Sequence, residues 1–212
     1  GMNGFISKPF EPKDLFNELK RVLDLDSTLA TEIPLDSQQV EETVENPLGD
    51  EIQAEWGNLG TSQTAVIEMA RASGLALLSE NEKSALKTTT YGTGQLFKAA
   101  LDQGIKKFIL AIGGSATNDG GAGFASAIGA KLLDKNNNEI HPSGENLSLI
   151  DKIDLSNLDQ RIKDIEVQVA CDVNNPLCGE TGASAIFGPQ KGASTNDIEI
   201  LDRNLFHWSK LI

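Results

Sequence analysis

The glycine-rich stretch at residues 113–123 has the composition of a ligand-binding loop. It reads GGSATNDGGAG and follows a continuous apolar run, KKFILAI at residues 106–112, which predicts a buried strand. Ligands of α/β sheets bind where strands end, and glycines let several backbone N–H groups approach one ligand. A helix after the loop would add its N-terminal N–H groups. The stretch therefore predicts a site for an anion such as phosphate or carboxylate.

The polar groups of this loop suggest two kinds of contact. Backbone N–H groups and hydroxyls would bind the anion, and the residues concerned are Gly113, Gly114, Ser115, Thr117, Gly120 and Gly121. Asn118 and Asp119 could bond a substrate hydroxyl, and Asp119 could also accept its proton or hold Mg²⁺. A glycine-rich turn whose polar side chains cap local backbone groups is the alternative. The spacing is that of neither a dinucleotide-binding loop nor a Walker loop.

Two further stretches carry candidate residues. Asp172 lies just beyond an alternating stretch at residues 166–170 that predicts a second strand, so this carboxylate could bind a metal. Lys191 lies in a Pro/Gly-rich turn and could contact a phosphate, although a surface lysine in a turn-rich connection is the alternative. Thr93 lies in TTTYGTG at residues 88–94. It predicts either a helix N-cap or a second loop that faces an anion.

Composition excludes several classes of protein. The net charge is −13, and residues 25–55 hold nine acids and no Lys or Arg, so a basic nucleic-acid footprint is absent. No apolar run approaches the ~18 residues of a membrane-spanning helix, and no secretory signal pattern occurs at the N-terminus. Cys171 and Cys178 are too few for a disulfide scaffold, and neither has a neighbouring histidine to favour zinc.

The elements that must position these residues follow an α/β rhythm. A hairpin is predicted from residues 42–45 and 51–56 around a five-residue loop with Pro and Gly. The other predicted strands are 64–70, which runs into a short helix, 106–112 and 166–170. The predicted helices are 95–103, 124–133 and 197–211. This alternation predicts an α/β fold for the region from residue 42 to 212.

Residues 1–24 form a unit of a different kind. A short strand at residues 4–7, the Lys8-Pro9 break and an amphipathic helix from about residue 11 resemble the C-terminal end of a response-regulator receiver domain. Lys8 lies where that family keeps the lysine that contacts the phosphorylated aspartate. The strand that carries this aspartate is missing, so no phosphorelay activity is expected. Residues 25–41 lack apolar periodicity and are interpreted as an acidic linker.

Four stretches in order resemble the bacterial-type glycerate kinase family: residues 64–78, 88–94, 112–123 and 170–193. The resemblance implies a Rossmann-like or flavodoxin-like fold with an inserted smaller domain. It also implies transfer of a phosphoryl group from ATP, with Mg²⁺, to a hydroxyl of D-glycerate to give phosphoglycerate. We expect a cytoplasmic kinase whose partners are glycerate and ATP, with no nucleic acid and no membrane. Which hydroxyl reacts and the oligomeric state stay open.

Residue type and placement suggest roles within this resemblance. We expect Asp119 and Lys191 to be catalytic and Asp172 to bind the metal. The family's N-terminal acidic loop and its C-terminal Gly-Glu-Gly type motif do not occur here. The chain therefore resembles a partial kinase, incomplete at both ends, whose activity is expected to be impaired. The alternative function is a non-catalytic, anion-binding remnant or a module fused into a signalling protein.

Overall fold

A five-stranded mixed sheet organises the part of the chain that the computed structural model describes, residues 37–212. In spatial order its strands are β1 (Gln38–Glu45), β2 (Glu51–Asn58), β3 (Thr64–Glu68), β4 (Lys107–Ala111) and β7 (Glu166–Ala170). The first three pair antiparallel, whereas β3, β4 and β7 are parallel. The parallel strands end at one edge of the sheet, and the candidate residues follow these ends.

The β1–β2 hairpin is longer than the sequence predicts. Its turn is held by Asn46, whose Oδ1 accepts hydrogen bonds from the N–H groups of Leu48 (2.8 Å) and Asp50 (3.1 Å). Val40, Val44 and Ala54 face the main core, and this side-chain burial extends the pairing beyond the predicted start at residue 42. Because β1 begins at Gln38, residues 38–41 of the stretch interpreted as linker belong to the hairpin.

Helix α2 (Tyr91–Asp102) covers one face of the sheet, after the short helix α1 (Ala70–Ser73). Leu96 and Phe97 are buried on this face, and the ring of Phe97 packs 4.2 Å from that of Phe108 in β4. Fully burying a side chain of this size stabilises the fold by about 1.5–3 kcal/mol. The sequence predicts a start at residue 95, but the helix begins at Tyr91 and includes two glycines.

Those glycines explain the early start of α2. A Cβ atom on Gly92 would lie 1.9 Å from the carbonyl oxygen of Glu45, and one on Gly94 would lie 2.6 Å from the Cβ of Ala127. The glycines thus let the first turns of α2 approach β1 and the neighbouring helix α3 (Ala122–Ala127). The contacts outweigh the unfavourable helix propensity of glycine, about 1 kcal/mol per residue.

A second, smaller core lies beyond α3. It contains Leu132, Leu147, Leu205 and Trp208, and it joins the two-stranded sheet of β5 (Lys131–Leu133) and β6 (Lys152–Asp154) to a long C-terminal helix. The prediction of one helix over residues 124–133 is wrong. The chain turns at Gly129, whose φ is +107°, and the residues that follow enter β5.

The C-terminal helices complete the described chain. Helix α4 (Ala183–Phe187) lies inside the stretch predicted as loop, and α5 (Thr195–Trp208) follows it. Ser194 and Asp197 form a capping box that begins α5 two residues before the predicted start. Within residues 37–212, no helix is long and apolar enough to cross a membrane.

Candidate functional site

The first half of the glycine-rich loop is held against the turn that follows α1. The N–H of Leu75 donates to the carbonyl oxygen of Gly114, and the N–H of Ala116 donates to that of Ser73, each at 2.9 Å. The turn that bonds the loop is tight because residue 74 is glycine, whose Cβ position would lie 2.0 Å from the carbonyl oxygen of Ala70 in α1. The backbone of the candidate loop is therefore fixed at its start.

Lys191 joins the two candidate clusters. Its side chain is buried, and its ammonium group donates to the Oγ of Ser115 at 2.8 Å and to the carbonyl oxygen of Thr117 at 2.7 Å. The short 3₁₀ turn Pro189–Lys191 carries it there and ends at Gly192, whose φ is +84°. Burial lowers the pKa of Lys191 to about 8, while the charge of Asp119 acts in the opposite direction.

The loop residues before and at Ser115 carry open hydrogen-bond donors. Gly113 and Gly114 are exposed and Ser115 is half-buried. Within residues 37–212, no protein atom accepts a hydrogen bond from the backbone N–H groups of these three residues. The third ammonium proton of Lys191 likewise has no acceptor in this part of the chain. One cation and several open N–H groups can together bind an oxyanion.

Asp119 does not face the open side of the loop, as a catalytic residue would need to. Its side chain is 1% exposed. Its Oδ2 accepts from the N–H and Oγ1 of Thr90, both at 2.8 Å, and from the N–H of Gly123 at 3.1 Å, while its Oδ1 accepts from the N–H of Gly121 at 3.2 Å. The N–H groups at the start of α3, which were predicted to bind an external anion, therefore already bond this internal carboxylate.

Gly120 and Gly121 turn the chain into α3. Their φ angles are +58° and +80°, which glycine adopts without strain. A Cβ on Gly120 would lie 2.7 Å from the indole of Trp208, and the indole N–H of Trp208 donates to the carbonyl oxygen of Gly120 at 3.0 Å. Through these contacts Gly120 packs against α5. The residues of the loop that could still bind an anion are therefore those of its first half, Gly113 to Ser115.

Asn118 and Thr93 face the protein interior. The amide nitrogen of Asn118 donates to the Oγ of Ser184 at 2.9 Å, which ties the loop to α4. The hydroxyl of Thr93 donates to the Oγ of Ser73 at 2.8 Å. The prediction of Thr93 as a helix N-cap is wrong. Thr93 lies within α2, because the helix begins two residues earlier, at Tyr91, and Thr90 takes the cap position.

Asp172 lies at the neighbouring strand end. It is exposed and lies two residues after Ala170, the last residue of β7, which accepts a hydrogen bond from the N–H of Ile112 at 3.4 Å. This bond places the exit of β7 beside the loop that leaves β4. Among the described residues, no group of three or more His, Cys, Asp or Glu side chains could hold a metal ion. A single carboxylate fits only an ion that also binds substrate phosphates.

Comparison with known proteins decides the family. The model of the glycerate kinase family matches residues 28–212. The chain belongs to the glycerate kinase family. It is 50% identical over 172 residues to a glycerate kinase of Bacillus subtilis strain 168, and 53% identical over 169 residues to glycerate 2-kinase of Escherichia coli strain K12. These alignments cover 81% and 80% of the chain.

A solved structure confirms the α/β fold class. A crystal structure assigned to glycerate kinase 2 of Salmonella typhimurium LT2 matches with a TM-score of 0.80 and 47% identity over 82% of this chain. The chain spans less than half of these relatives, namely 45% and 44% of the two kinases and 47% of the crystallised chain. The family match begins inside the predicted linker, 25–41. The receiver-like residues 1–24 precede it and lie outside the described residues.

Sequence reasoning missed the residues that support the glycerate kinase loop from other elements. Ser73, Thr88, Thr90 and Ser184 are buried, and each bonds residues of the 113–121 loop or a helix beside it. The hydroxyl of Thr88, for example, donates to the carbonyl oxygen of Ala116 at 2.9 Å. The threonines of TTTYGTG were a visible signal. Their burial depends on long-range packing that no local pattern contains.

Proposed function

We propose that this chain supplies the phosphate-binding part of a glycerate kinase, which transfers a phosphoryl group from ATP to a hydroxyl of D-glycerate and gives phosphoglycerate. One observation carries the proposal. The buried ammonium group of Lys191 bonds Ser115 and Thr117 with a donor left over, and the N–H groups of Gly113 and Gly114, which precede Ser115 in the loop, bond no described residue. Membership of the glycerate kinase family supports both an ATP-type donor and glycerate as the acceptor. A kinase of this kind would work in the cytoplasm.

Phosphoryl transfer depends mainly on positioning and on neutralising phosphate charge. Lys191 would supply a fixed positive charge, and the N–H groups at Gly113 and Gly114 would orient the phosphate oxygens. Mg²⁺ in kinases is bound by one or two carboxylates together with substrate phosphates. We propose Asp172 as one such carboxylate, since it is exposed at the neighbouring strand end. The ion would neutralise phosphate charge when bound.

A second candidate function is a non-catalytic anion-binding module. The favouring observation is that the Lys191 site is assembled from described residues alone. Such a module would bind phosphate or glycerate without turnover. The receiver-like residues 1–24, if part of a fused signalling protein, would belong with this function.

Two measurements separate these functions. Calorimetric titration with inorganic phosphate, ATP and D-glycerate tests binding, and a coupled assay of glycerate-dependent ADP release tests turnover. We expect Lys191→Met to weaken phosphate binding by about 10- to 100-fold, the effect of losing a charge-assisted hydrogen bond. The exposed Lys135→Met is the matched control and should bind like the unsubstituted chain.

The pH dependence of binding gives an independent check. Since the pKa of Lys191 is lowered to about 8, the site is cationic below that pH. Phosphate binding should therefore weaken as the pH rises through about 8. Lys191→Arg, which stays protonated, should remove this dependence. Undiminished phosphate binding by Lys191→Met would exclude the site, and binding without ADP release would favour the non-catalytic module.

A further inference from the structure

The carboxylate of Asp119 connects three parts of the molecule. Thr90 lies at the N-terminus of α2, Gly121 and Gly123 lie at the start of α3, and Asp119 itself ends the loop that contains Ser115. All four hydrogen bonds to the carboxylate come from these two helix starts. The side chain therefore holds the second half of the loop where the two helices meet.

The surroundings of this carboxylate leave no room for a substrate. The hydroxyl of Thr90 donates to Asp119 and accepts a hydrogen bond from the N–H of Phe124 at 2.8 Å, so its donor and acceptor are both engaged. A Cβ on Gly123 would lie 2.1 Å from the Oγ1 of Thr89. A substrate hydroxyl would have to displace protein donors inside a closed helix contact. Direct proton transfer to Asp119 therefore conflicts with this packing.

Asp119 also acts on the charge of Lys191. The ammonium group bonds the carbonyl oxygen of Thr117, two residues before Asp119, and its direct partners, Ser115 and Thr117, are neutral. Burial opposes the charged form of Lys191, and among the described residues Asp119 is the charged group whose field opposes that effect. A negative charge fixed by four donors can act this way without contacting a ligand.

We propose that Asp119 is a positioning residue that fixes the glycine-rich loop and keeps Lys191 in the cationic form. The consequence for catalysis rests on the proposed function of Lys191 as a phosphate ligand. The effect on Lys191 itself needs no ligand, so it can be tested separately. Asp119 would hold the loop and influence the charge of Lys191 without contacting the reacting groups.

The test is an NMR titration of the Lys191 side chain in the whole chain labelled with ¹³C-lysine. The signal is assigned by its loss in Lys191→Arg. Asp119→Ser and Asp119→Asn both remove the charge, and the serine keeps an oxygen that can cap the start of α3. We expect the Lys191 pKa to fall by about one unit in either folded variant. Glu199→Gln, which removes one charge from the exposed face of α5, should leave it unchanged.

Variants of Thr90 separate the charge of Asp119 from its bonding. Thr90→Val removes one donor to the carboxylate and should lower the thermal midpoint, whereas Thr90→Ser should restore it. Both should keep the Lys191 pKa of the unsubstituted chain, because the charge remains. An unchanged pKa of Lys191 in a folded Asp119 variant would overturn the proposal.

Phosphate titration of the same samples distinguishes the two proposals. A Lys191 pKa that depends on Asp119, in a chain that binds no phosphate, would support this inference and reject the proposed function. Phosphate binding that requires Lys191, with a pKa independent of Asp119, would do the reverse. If both hold, Asp119→Ser should weaken phosphate binding most at pH 7–8, where its Lys191 has lost the proton that the unsubstituted chain retains.

Discussion

The chain leaves β4 and β7 at the same edge of the sheet, yet the two segments that follow are held very differently. After β4, residues 116–119 are all buried, and their side chains or carbonyl oxygens bond Thr88, Thr90, Ser184 and Lys191. After β7, residues 171–177 are all exposed. Their side-chain hydrogen bonds are local, from Cys171 to the carbonyl oxygen of Val173 and from Asn175 to that of Thr181.

The strands themselves show the same contrast. Phe108 of β4 is buried under α2, whereas its neighbours on the same face of β7, Val167 and Val169, are 43% and 50% exposed. This difference shows that contacts among the described residues are enough to fix the glycine-rich loop. The segment after β7 has no comparable contacts with the rest of the described chain. Asp172 belongs to that second region. The metal-binding role proposed for Asp172 therefore depends on groups that the described residues do not provide.

Two glycines should show the largest difference between the regions. Gly123→Ala places a Cβ within 2.1 Å of Thr89 and should destabilise the chain by about 3 kcal/mol through overpacking. Gly179→Ala meets nothing within 4 Å, but its φ of +98° should cost about 1 kcal/mol. Urea unfolding followed by circular dichroism measures both. Equal losses would mean that the α2–α3 contact is not as tight as described.

Two asparagines, one in each segment, compare the stability contributed by a buried and by an exposed hydrogen bond. Asn118→Ala leaves the buried hydroxyl of Ser184 without its partner and should cost about 2 kcal/mol. Asn175→Ala removes an exposed contact and should change stability by less than about 0.5 kcal/mol. The double variant Asn118→Ala/Ser184→Ala provides the control. Its loss should be smaller than the sum of the two single losses.

The smallest expected difference concerns apolar side chains of the sheet. Ile67 in β3 is fully buried, so Ile67→Val should cost about 1 kcal/mol. Val169→Ala on β7 should cost less than about 0.5 kcal/mol, because half of that side chain already contacts solvent. Thermal unfolding of both variants checks this. A loss at Val169 as large as that at Ile67 would show that another surface covers β7 in solution.

Local patterns predicted the strands of the five-stranded sheet well, but neither β5 nor β6. The hairpin, β3, β4 and β7 all occur where alternation or continuous apolar runs indicated them. The helices were harder, because tertiary contacts set their limits. Glycines at 92 and 94 disfavour a helix by propensity, and their close contacts with Glu45 and Ala127 outweigh that preference. The run at residues 124–133 has helical spacing, but its second half enters β5 to bury Leu132 in the smaller core.

The candidate site was predicted in composition but not in the direction its side chains take. Lys191 and Ser115 were both named from sequence, and the structure brings them together. Asp119 and Thr93 were also named, but both face inward. A sequence pattern shows that a loop is rich in polar groups. It does not show which of them are used by Thr90 or Ser73, because those partners come from segments 20 to 30 residues away.

Hydrogen exchange at the amide of Thr90 reports how often the support of the glycine-rich loop opens. Its N–H points at the buried carboxylate of Asp119, and the preceding amide, of Thr89, donates to the carbonyl oxygen of Pro47 in the hairpin turn. Neither proton can exchange with deuterated solvent unless α2 separates from a partner. Gly113 is exposed and its amide bonds no described residue, so that amide should exchange freely. The ratio of these rates gives the free energy of opening the loop support in the absence of any ligand.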